Sequence, residues 1–293
     1  MGLLSRVGVT LIASLVVTAA VAPGATARGA TTRGARPSVI NARRIARTAV
    51  PSSPETQYGG ELFETASRHL HGVASSSGGA RLRHIVRPRG LAASARLVAR
   101  LERLTVSPTD SPSGRAIRAY LEERRFGIPK HRVAQGVLVV PSSREAYLRG
   151  HHKQAVRTNL HRAADARLSC GQLEGFAERE ALVDLIDPGL TESWERKLLI
   201  GRPESEWWAV FDAEGQPIGL AVVSVDSEVA LIWSLVCRGH SGRWLLHTEI
   251  VSELAKRGVT SLLVAAGMAP VMQPGLQYFQ RLLGYQVAHL KLR

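Results

Sequence analysis

The last third of the chain has the clearest pattern of apolar segments separated by turns. Two short apolar runs, residues 207–211 and 217–225, flank a polar turn, which predicts a β-hairpin. Residues 228–237 are apolar at both alternating sets of positions, so we expect a central strand buried on both faces. Apolar residues then recur at helical spacing over 242–257, and Gly258 follows as a helix-ending glycine.

Three further elements complete this region. The pattern predicts a strand at residues 260–265, a helix at 276–283 and a strand at 285–292. Hairpin connections make the first strands antiparallel, whereas the helical crossover makes the strand at 260–265 parallel to the one before it. The expected fold class is therefore α/β, with a mixed, mostly antiparallel central sheet flanked by helices.

The middle of the chain predicts helices around one buried strand, the apolar run 136–140. A long basic helix is expected over 145–168, where Lys153, Arg157 and His161 share one face. These three residues form either a phosphate-binding stripe or a solvated basic face. Further helices are predicted at residues 59–73, 91–104, 111–126, 177–186 and 191–199. A flexible break is expected at 75–79.

The N-terminus has the features of an export signal. Arg6 precedes an apolar run at residues 7–21, and Ala25-Thr26-Ala27 has the small-x-small pattern of a signal peptidase site. The alternative is a start codon placed too far upstream, which would make the protein cytoplasmic. No other segment approaches the length of apolar chain that spans a membrane.

These patterns divide the chain into four parts. Residues 1–27 are signal-like, and residues 28–57, rich in small residues, arginine and proline without apolar periodicity, are expected to be a disordered linker. Residues 58–140 are expected to form an α-rich N-terminal region with one strand. The α/β domain is expected over residues 141–293.

The formal net charge is +14, and arginine accounts for most of the excess. Such a charge favours an anionic partner, such as phosphate, nucleic acid, acidic polysaccharide or anionic lipid. Composition bias with a solvated surface is the alternative. The two cysteines, Cys170 and Cys237, are far apart, and no Cys/His spacing typical of zinc sites occurs, so we expect two reduced thiols and no metal.

The turn after the strand at 228–237 is the best candidate for chemistry. It reads Arg238-Gly239-His240-Ser241-Gly242-Arg243 and leads into a predicted helix. A glycine-flanked turn at a helix N-terminus offers free backbone N–H groups and a positive dipole end, which suits phosphate or pyrophosphate. The alternative is a βα turn whose glycines serve sterics alone.

The segment from Trp207 to Arg293 resembles the GNAT acyltransferase superfamily. The matching features are the hairpin Trp208-Ala209-Val210-Phe211 with Pro217-Ile218-Gly219-Leu220, the strand ending at Cys237, the basic glycine turn, and the ending Tyr278-Phe279-Gln280-Arg281-Leu282-Leu283-Gly284-Tyr285. This resemblance implies acetyl-CoA or another acyl-CoA as donor, with the pyrophosphate on the turn amides and the thioester beside the splayed end of the central strand. It implies donor-binding residues at Leu235, Val236, Cys237, Arg238, Gly239, Ser241, Gly242, Arg243 and Trp244.

The sequence departs from the family pattern at three positions. Ser241 and Arg243 stand where Gly and Gly or Ala are usual, and Gln280 stands where the family often has a proton-donating tyrosine. Tyr278 is the nearest tyrosine, so we take it as one catalytic candidate. His247, on the helix after the turn, is the other, because histidine titrates near neutral pH. A structural role is the alternative for this histidine.

The expected function is N-acyl transfer from acyl-CoA to a small-molecule or cell-envelope amine. The stretch from Tyr147 to Leu168 resembles the first helix of Fem-type transferases, which implies aminoacyl transfer to cell-envelope precursors as an alternative. A non-catalytic polyanion-binding module is the third possibility. Acyl-CoA use implies the cytoplasm, where CoA is found, and conflicts with export.

Overall fold

A computed structural model describes residues 60–75, 83–84, 86–125, 128–174, 179, 182–183, 202–272 and 274–293. The signal-like segment, the linker, the break after residue 75 and the helix predicted at 191–199 lie outside the described residues. The helix predicted at 177–186 is described only at residues 179, 182 and 183, which are helical.

The described residues form ten strands and seven α-helices. The strands are β1 (Glu102–Val106), β2 (Arg124–Arg125), β3 (Ile128–Pro129), β4 (Gln135–Val139), β5 (Ser169–Leu173), β6 (Glu206–Phe211), β7 (Pro217–Val225), β8 (Val229–Cys237), β9 (Ser261–Met268) and β10 (Gln286–Leu292). The helices are α1 (Glu61–Ser75), α2 (Pro88–Arg100), α3 (Pro112–Glu122), α4 (Arg144–Tyr147), α5 (Gln154–Asp165), α6 (Gly242–Lys256) and α7 (Pro274–Leu283).

Eight of the strands form one sheet in the order β1-β10-β4-β9-β8-β7-β6-β5. The pairs β1–β10 and β8–β9 are parallel, and the other five pairs are antiparallel. The predicted mixed, mostly antiparallel sheet flanked by helices is confirmed. The parallel β8–β9 pair arises as expected, because α6 carries the chain back across the sheet between these strands.

The sheet is covered on both faces. Leu262 packs in the cluster that contains α5, α6 and α7, whereas its neighbour Leu263 packs in the cluster that contains Ile117 of α3. Adjacent strand residues point to opposite faces, so these helices lie on opposite sides of the sheet. Helices α1 and α2 pack together against Val287 of β10 and Ala134, which precedes β4.

The structure confirms Gly258 as a glycine that ends a helix, and Gly284 has the same role after α7. Gly258 follows α6 with φ of 75°, and Gly284 follows α7 with φ of 88°. In both turns, the backbone has a left-handed conformation that glycine adopts without a Cβ clash.

The helices predicted over 91–104, 111–126 and 145–168 are wrong in their extent, and one strand of the large sheet was not predicted. The helix predicted over 111–126 ends at Glu122, because Arg124–Arg125 pair with β3. The helix predicted over 91–104 ends at Arg100, because residues 102–106 pair with β10 at the edge of the sheet. The long helix predicted over 145–168 is broken: Gly150 has φ of 96° and separates α4 from a 3-10 turn and α5. Strand β5 was missed, because its sequence Ser-Cys-Gly-Gln-Leu lacks the apolar content of a strand.

The sheet crosses the boundary predicted at residue 140. Strand β4 lies between β10 and β9, near the middle of the sheet, although it belongs to the predicted N-terminal region. That region also contributes β1, so it supplies two strands of the sheet where one was expected.

A buried carboxylate ties α3 to the turn between β7 and β8. Asp226 is 8% exposed and accepts bonds from Thr109 N (2.6 Å), Thr109 Oγ1 (2.6 Å) and Ser111 Oγ (2.9 Å). Burial by itself raises the pKa of Asp226, but the bonds from Thr109 and Ser111 outweigh burial and leave this pKa below its usual value. The charged carboxylate therefore stabilises the folded protein.

We expect Asp226→Ala to lower the free energy of unfolding by about 3 kcal/mol at pH 7, because three bonds to a charged group are lost. Since the pKa of Asp226 is lower in the folded chain, its contribution is present above about pH 4 and disappears as the pH falls through the folded value. Urea denaturation at pH 7 and pH 3 measures both effects. Asp110→Ala, at a neighbouring exposed carboxylate, is the control. Equal effects of the two variants at pH 7 would refute the anchoring role.

Candidate functional site

The parallel strands β8 and β9 separate partway along their length. They pair only from Val229 with Ser261 to Ile232 with Val264, although both strands continue for several residues. The β7–β8 register shifts at the same point, since Val222 opposes Ser234 and Val223 opposes Ile232. Trp233 is thus an extra residue, and such a bulge bends the strand that carries it. The result is an opening between the C-terminal halves of β8 and β9.

Backbone amides of β8 face this opening. Arg238 N donates to Ile218 O at 2.6 Å, so the N–H group of residue 238 points toward β7. Bonding direction alternates along a strand. Residues 235 and 237 therefore direct their N–H groups away from β7, toward the side on which β9 has diverged. Leu235 and Cys237 are among the residues that the resemblance to the GNAT superfamily implies as neighbours of the acyl donor.

The turn into α6 requires its two glycines. Gly239 has φ of 91°, and a Cβ there would have no neighbour within 4 Å, so space lies open above it. At Gly242, a Cβ would lie 2.6 Å from Cys237 Sγ. The side chain of Ser241 makes no capping bond to the first N–H groups of α6. The N–H groups of Trp244 and Leu245 bond to Ser241 O, so those of Gly242 and Arg243 are the helix amides nearest to an approaching ligand. An anionic group can approach these amides closely.

Cationic side chains from two helices surround the turn. Arg243 Nη2 lies 2.8 Å from His240 Nδ1, and the guanidinium lies 4.7 Å from the centroid of the Phe279 ring. Burial, then Arg243 and Arg162 of α5, lower the pKa of His240. Arg243 therefore extends across to α7 and does not fill the space above Gly239. Arg162 and Phe279 were missed by the sequence analysis, because only tertiary packing brings α5 and α7 to this turn.

The side chain of Trp244 is 2% exposed and packs in the core on α6. Its ring makes edge contacts with Phe279 at 4.8 Å and His240 at 6.1 Å between centroids. The indole therefore supports the turn from below, and its faces are not open for stacking on a ligand.

His247 lies in a buried polar network. Tyr147 Oη donates to Leu283 O at 3.2 Å, so it accepts from His247 Nδ1 at 3.3 Å, and His247 Nε2 accepts from Tyr285 Oη at 2.9 Å. Burial, then the charge of Lys153, lower the pKa of His247 to about 3. The imidazole is neutral, and both of its nitrogens already have partners in this structure.

Tyr278 lies apart from that network. Its side chain is 56% exposed, and the guanidinium of Arg281 lies 5.1 Å from its ring centroid. Tyr278 borders a groove with α1 residues such as Ser67. The two catalytic candidates share no contact, so the structure does not bring them together as an acid–base pair.

The predicted basic face of 145–168 is also divided. Lys153 is 4% exposed, its Nζ donates to Leu283 O, and it lies 4.1 Å from the centroid of the Tyr147 ring. Arg157 Nη1 donates to the carbonyls of Leu148 (2.6 Å) and Gly150 (2.8 Å). Lys153 therefore belongs neither to a phosphate-binding stripe nor to a solvated face, the two alternatives that the sequence left open. The helix on which the Fem-type resemblance was based is likewise not continuous.

Within the described ranges, no group of three or more His, Cys, Asp or Glu side chains could hold a metal ion. A search of the same residues finds no helix long and apolar enough to cross a membrane. Burial raises the pKa of Cys170 to about 12 and that of Cys237 to about 11, so both thiols are protonated at neutral pH.

No protein-family model matches the sequence, and no curated protein matches it. Several solved structures are similar in part. The C-terminal domain of a protein assigned as a lysylphosphatidylglycerol synthetase from Agrobacterium fabrum is 14% identical, with a TM-score of 0.38, over 53% of this chain and 58% of that one. L-PGS from Bacillus licheniformis is 11% identical, with a TM-score of 0.40, over the same shares.

A GCN5-related N-acetyltransferase from Kribbella flavida is 14% identical, with a TM-score of 0.29, over 41% of this chain and 46% of that one. The chain spans 58% of the length of each of the two synthetase structures. These likenesses are weak, so only the geometry of the opening and the turn can support a functional inference.

The buried side chain of Lys153 allows a test of how burial changes a pKa in this protein. Burial lowers the pKa of Lys153 to about 7, well below that of an unfolded lysine. The unfolded chain therefore binds more protons between these two values, and stability rises with pH from about 7. We expect a rise of about 2 kcal/mol between pH 7 and pH 9, measured by urea denaturation.

Lys153→Met keeps an unbranched side chain and removes the titrating group, so this rise should be lost in the variant. Lys256→Met removes a lysine whose side chain is 75% exposed, and the rise should persist there. A full rise in Lys153→Met would show that another group titrates.

Proposed function

We propose that the protein is an N-acyltransferase that moves an acyl group from acyl-CoA to an amine. The observation that supports this best is the combination of the β8–β9 opening with an uncapped glycine turn at its end. The opening offers a cleft for an extended thioester arm between two strands. The turn offers backbone N–H groups and arginines for the phosphates of the same donor.

We assign the roles from the positions of the backbone amides and the arginines at the turn and the opening. The amides of Gly239 and of the first turn of α6, with Arg238 and Arg243, hold the phosphates. The N–H groups of Leu235 and Cys237 face the carbonyl of the thioester and stabilise the negative charge that develops on its oxygen. The amine lone pair attacks the carbonyl carbon, the C–S bond breaks, and the thiolate leaves with the electron pair. The proton that the amine loses passes to solvent or to the departing thiolate.

His247 is assigned a structural role in this proposal. Its ring nitrogens are both engaged by tyrosines, and burial keeps its pKa far below neutrality. Two departures from the family pattern are compatible with these roles. Arg243 reaches Phe279 and leaves the space over Gly239 free. Gln280, on α7, is buried, with 2% of its surface exposed. The tyrosine acid of related enzymes has no counterpart at that position.

Isothermal calorimetry with acetyl-CoA and longer acyl-CoAs tests the donor site. We expect Gly239→Ala to weaken binding by about tenfold or more, since a methyl group would occupy the space above the turn amides. Gly215→Ala is the matched control: Gly215 also has positive φ and open space, but lies in the β6–β7 hairpin. Both variants place a Cβ on a residue with positive φ, which costs roughly 1–2 kcal/mol.

Absence of heat from every acyl-CoA at high concentration would remove CoA as the donor. Equal weakening by the two glycine variants would place the donor elsewhere. Salt-dependent binding of RNA or an acidic glycan, without thiol release from acyl-CoA in the presence of amines, would favour the non-catalytic polyanion-binding function.

A further inference from the structure

A stripe of arginines runs along the outer face of α2. Arg89, Arg96 and Arg100 are spaced by seven and four residues, which places them on one side of the helix, and all three are exposed. None of them forms an ion pair or a hydrogen bond with another residue of the described part of the chain. By contrast, Arg144 and Arg257 pair with glutamates. The stripe therefore presents three cationic groups with which no described residue forms an ion pair.

The stripe borders a groove of about 630 Å³ between α1 and α2. Leu62, Pro88 and Ala93 give the groove an apolar lining, and Glu61 is the acidic residue in it. Of the nine described residues that line the groove, none is aromatic. An apolar lining edged by three arginines matches a ligand that has both an apolar part and a negative charge.

The positive charge continues onto the neighbouring edge of the sheet. Val287 of β10 packs with Ala93 and Leu97 of α2, so this face of β10 lies on the α2 side. Alternation along the strand places His289 on the same face as Val287. Arg103 of β1 is the register partner of His289, and burial, then Arg103 and Arg132, lower the pKa of His289.

We propose that the basic surface formed by Arg89, Arg96, Arg100 and Arg103, with the α1–α2 groove, docks the protein on an anionic lipid bilayer. The arginines contact lipid phosphates, and the groove receives apolar parts of the lipid. Val86 is 67% exposed next to the stripe and adds an apolar contact. A nucleic acid would leave the apolar groove unused, and it would find no aromatic ring in the groove on which to stack a base.

The test is co-sedimentation of the 293-residue chain with vesicles of phosphatidylcholine alone and of phosphatidylcholine with 30% phosphatidylglycerol, at low and physiological salt. We expect binding to the anionic vesicles. Each basic side chain near an anionic bilayer strengthens binding roughly fivefold, so Arg89→Ala/Arg96→Ala/Arg100→Ala should weaken it about a hundredfold. The urea midpoint of the triple variant should equal that of the wild type, since the three side chains are exposed.

The matched control removes three positive charges elsewhere. Arg149, Arg167 and Lys256 are exposed and lie away from α2, and their replacement by alanine gives the same net charge. The signal-like N-terminus is present in all of these proteins, so it cannot cause a difference between them. Weakening by less than threefold in the control supports a local surface.

Three results would overturn the proposal. The first is equal binding to the two kinds of vesicle. The second is equal weakening by the two triple variants, which would indicate net charge alone. The third is binding to a single-stranded RNA that exceeds vesicle binding and depends on the same three arginines. Because none of these readouts involves acyl-CoA, the outcome is separate from that of the calorimetric test.

Discussion

The extra residue in β8 is the constraint on which the rest of the site depends. Without the bulge at Trp233, β8 and β9 would continue to pair, and the N–H groups of Leu235 and Cys237 would bond to β9. The bulge is held in place by three partners. Trp233 Nε1 donates to Ser224 Oγ at 2.8 Å, Arg202 lies 3.4 Å from a ring centroid of the indole, and Tyr120 makes an edge contact at 5.4 Å. These contacts of the Trp233 side chain thereby hold the bend in β8 at the point where it separates from β9.

The sequence predicted the elements that have strong apolar periodicity or a characteristic turn residue. The hairpin, the central strand, α6 and both terminating glycines follow from periodicity and turn chemistry. Strand β1 could not be predicted in this way, because Leu104 continues the helical spacing of α2, and pairing with β10 decides its conformation. Strand β5 is polar and lies at the other edge of the sheet, where pairing with β6 and packing of Cys170 and Leu173 against the core stabilise it.

The sequence indicates the backbone of the candidate site more directly than it indicates the contacts of its side chains. The glycine turn could be singled out because the order of strand, turn and helix exposes backbone N–H groups there, whereas Leu235 to Cys237 were implied by the resemblance to the GNAT superfamily. The positions of Arg243 and His247 could not, since they depend on Phe279, Tyr147 and Tyr285, which other elements supply. A histidine near a helix start has the same sequence signal whether it faces a ligand or a tyrosine in the core.

The central claim is that the opening between β8 and β9, with the turn at its end, receives the acyl donor. Amide hydrogen exchange with and without saturating acetyl-CoA tests it most directly. The account predicts new protection of residues 234–237 and 239–244, with no change in α1 and α2. Protection confined to α1 and α2, or unchanged exchange at 234–244 while acetyl-CoA is bound, would contradict it.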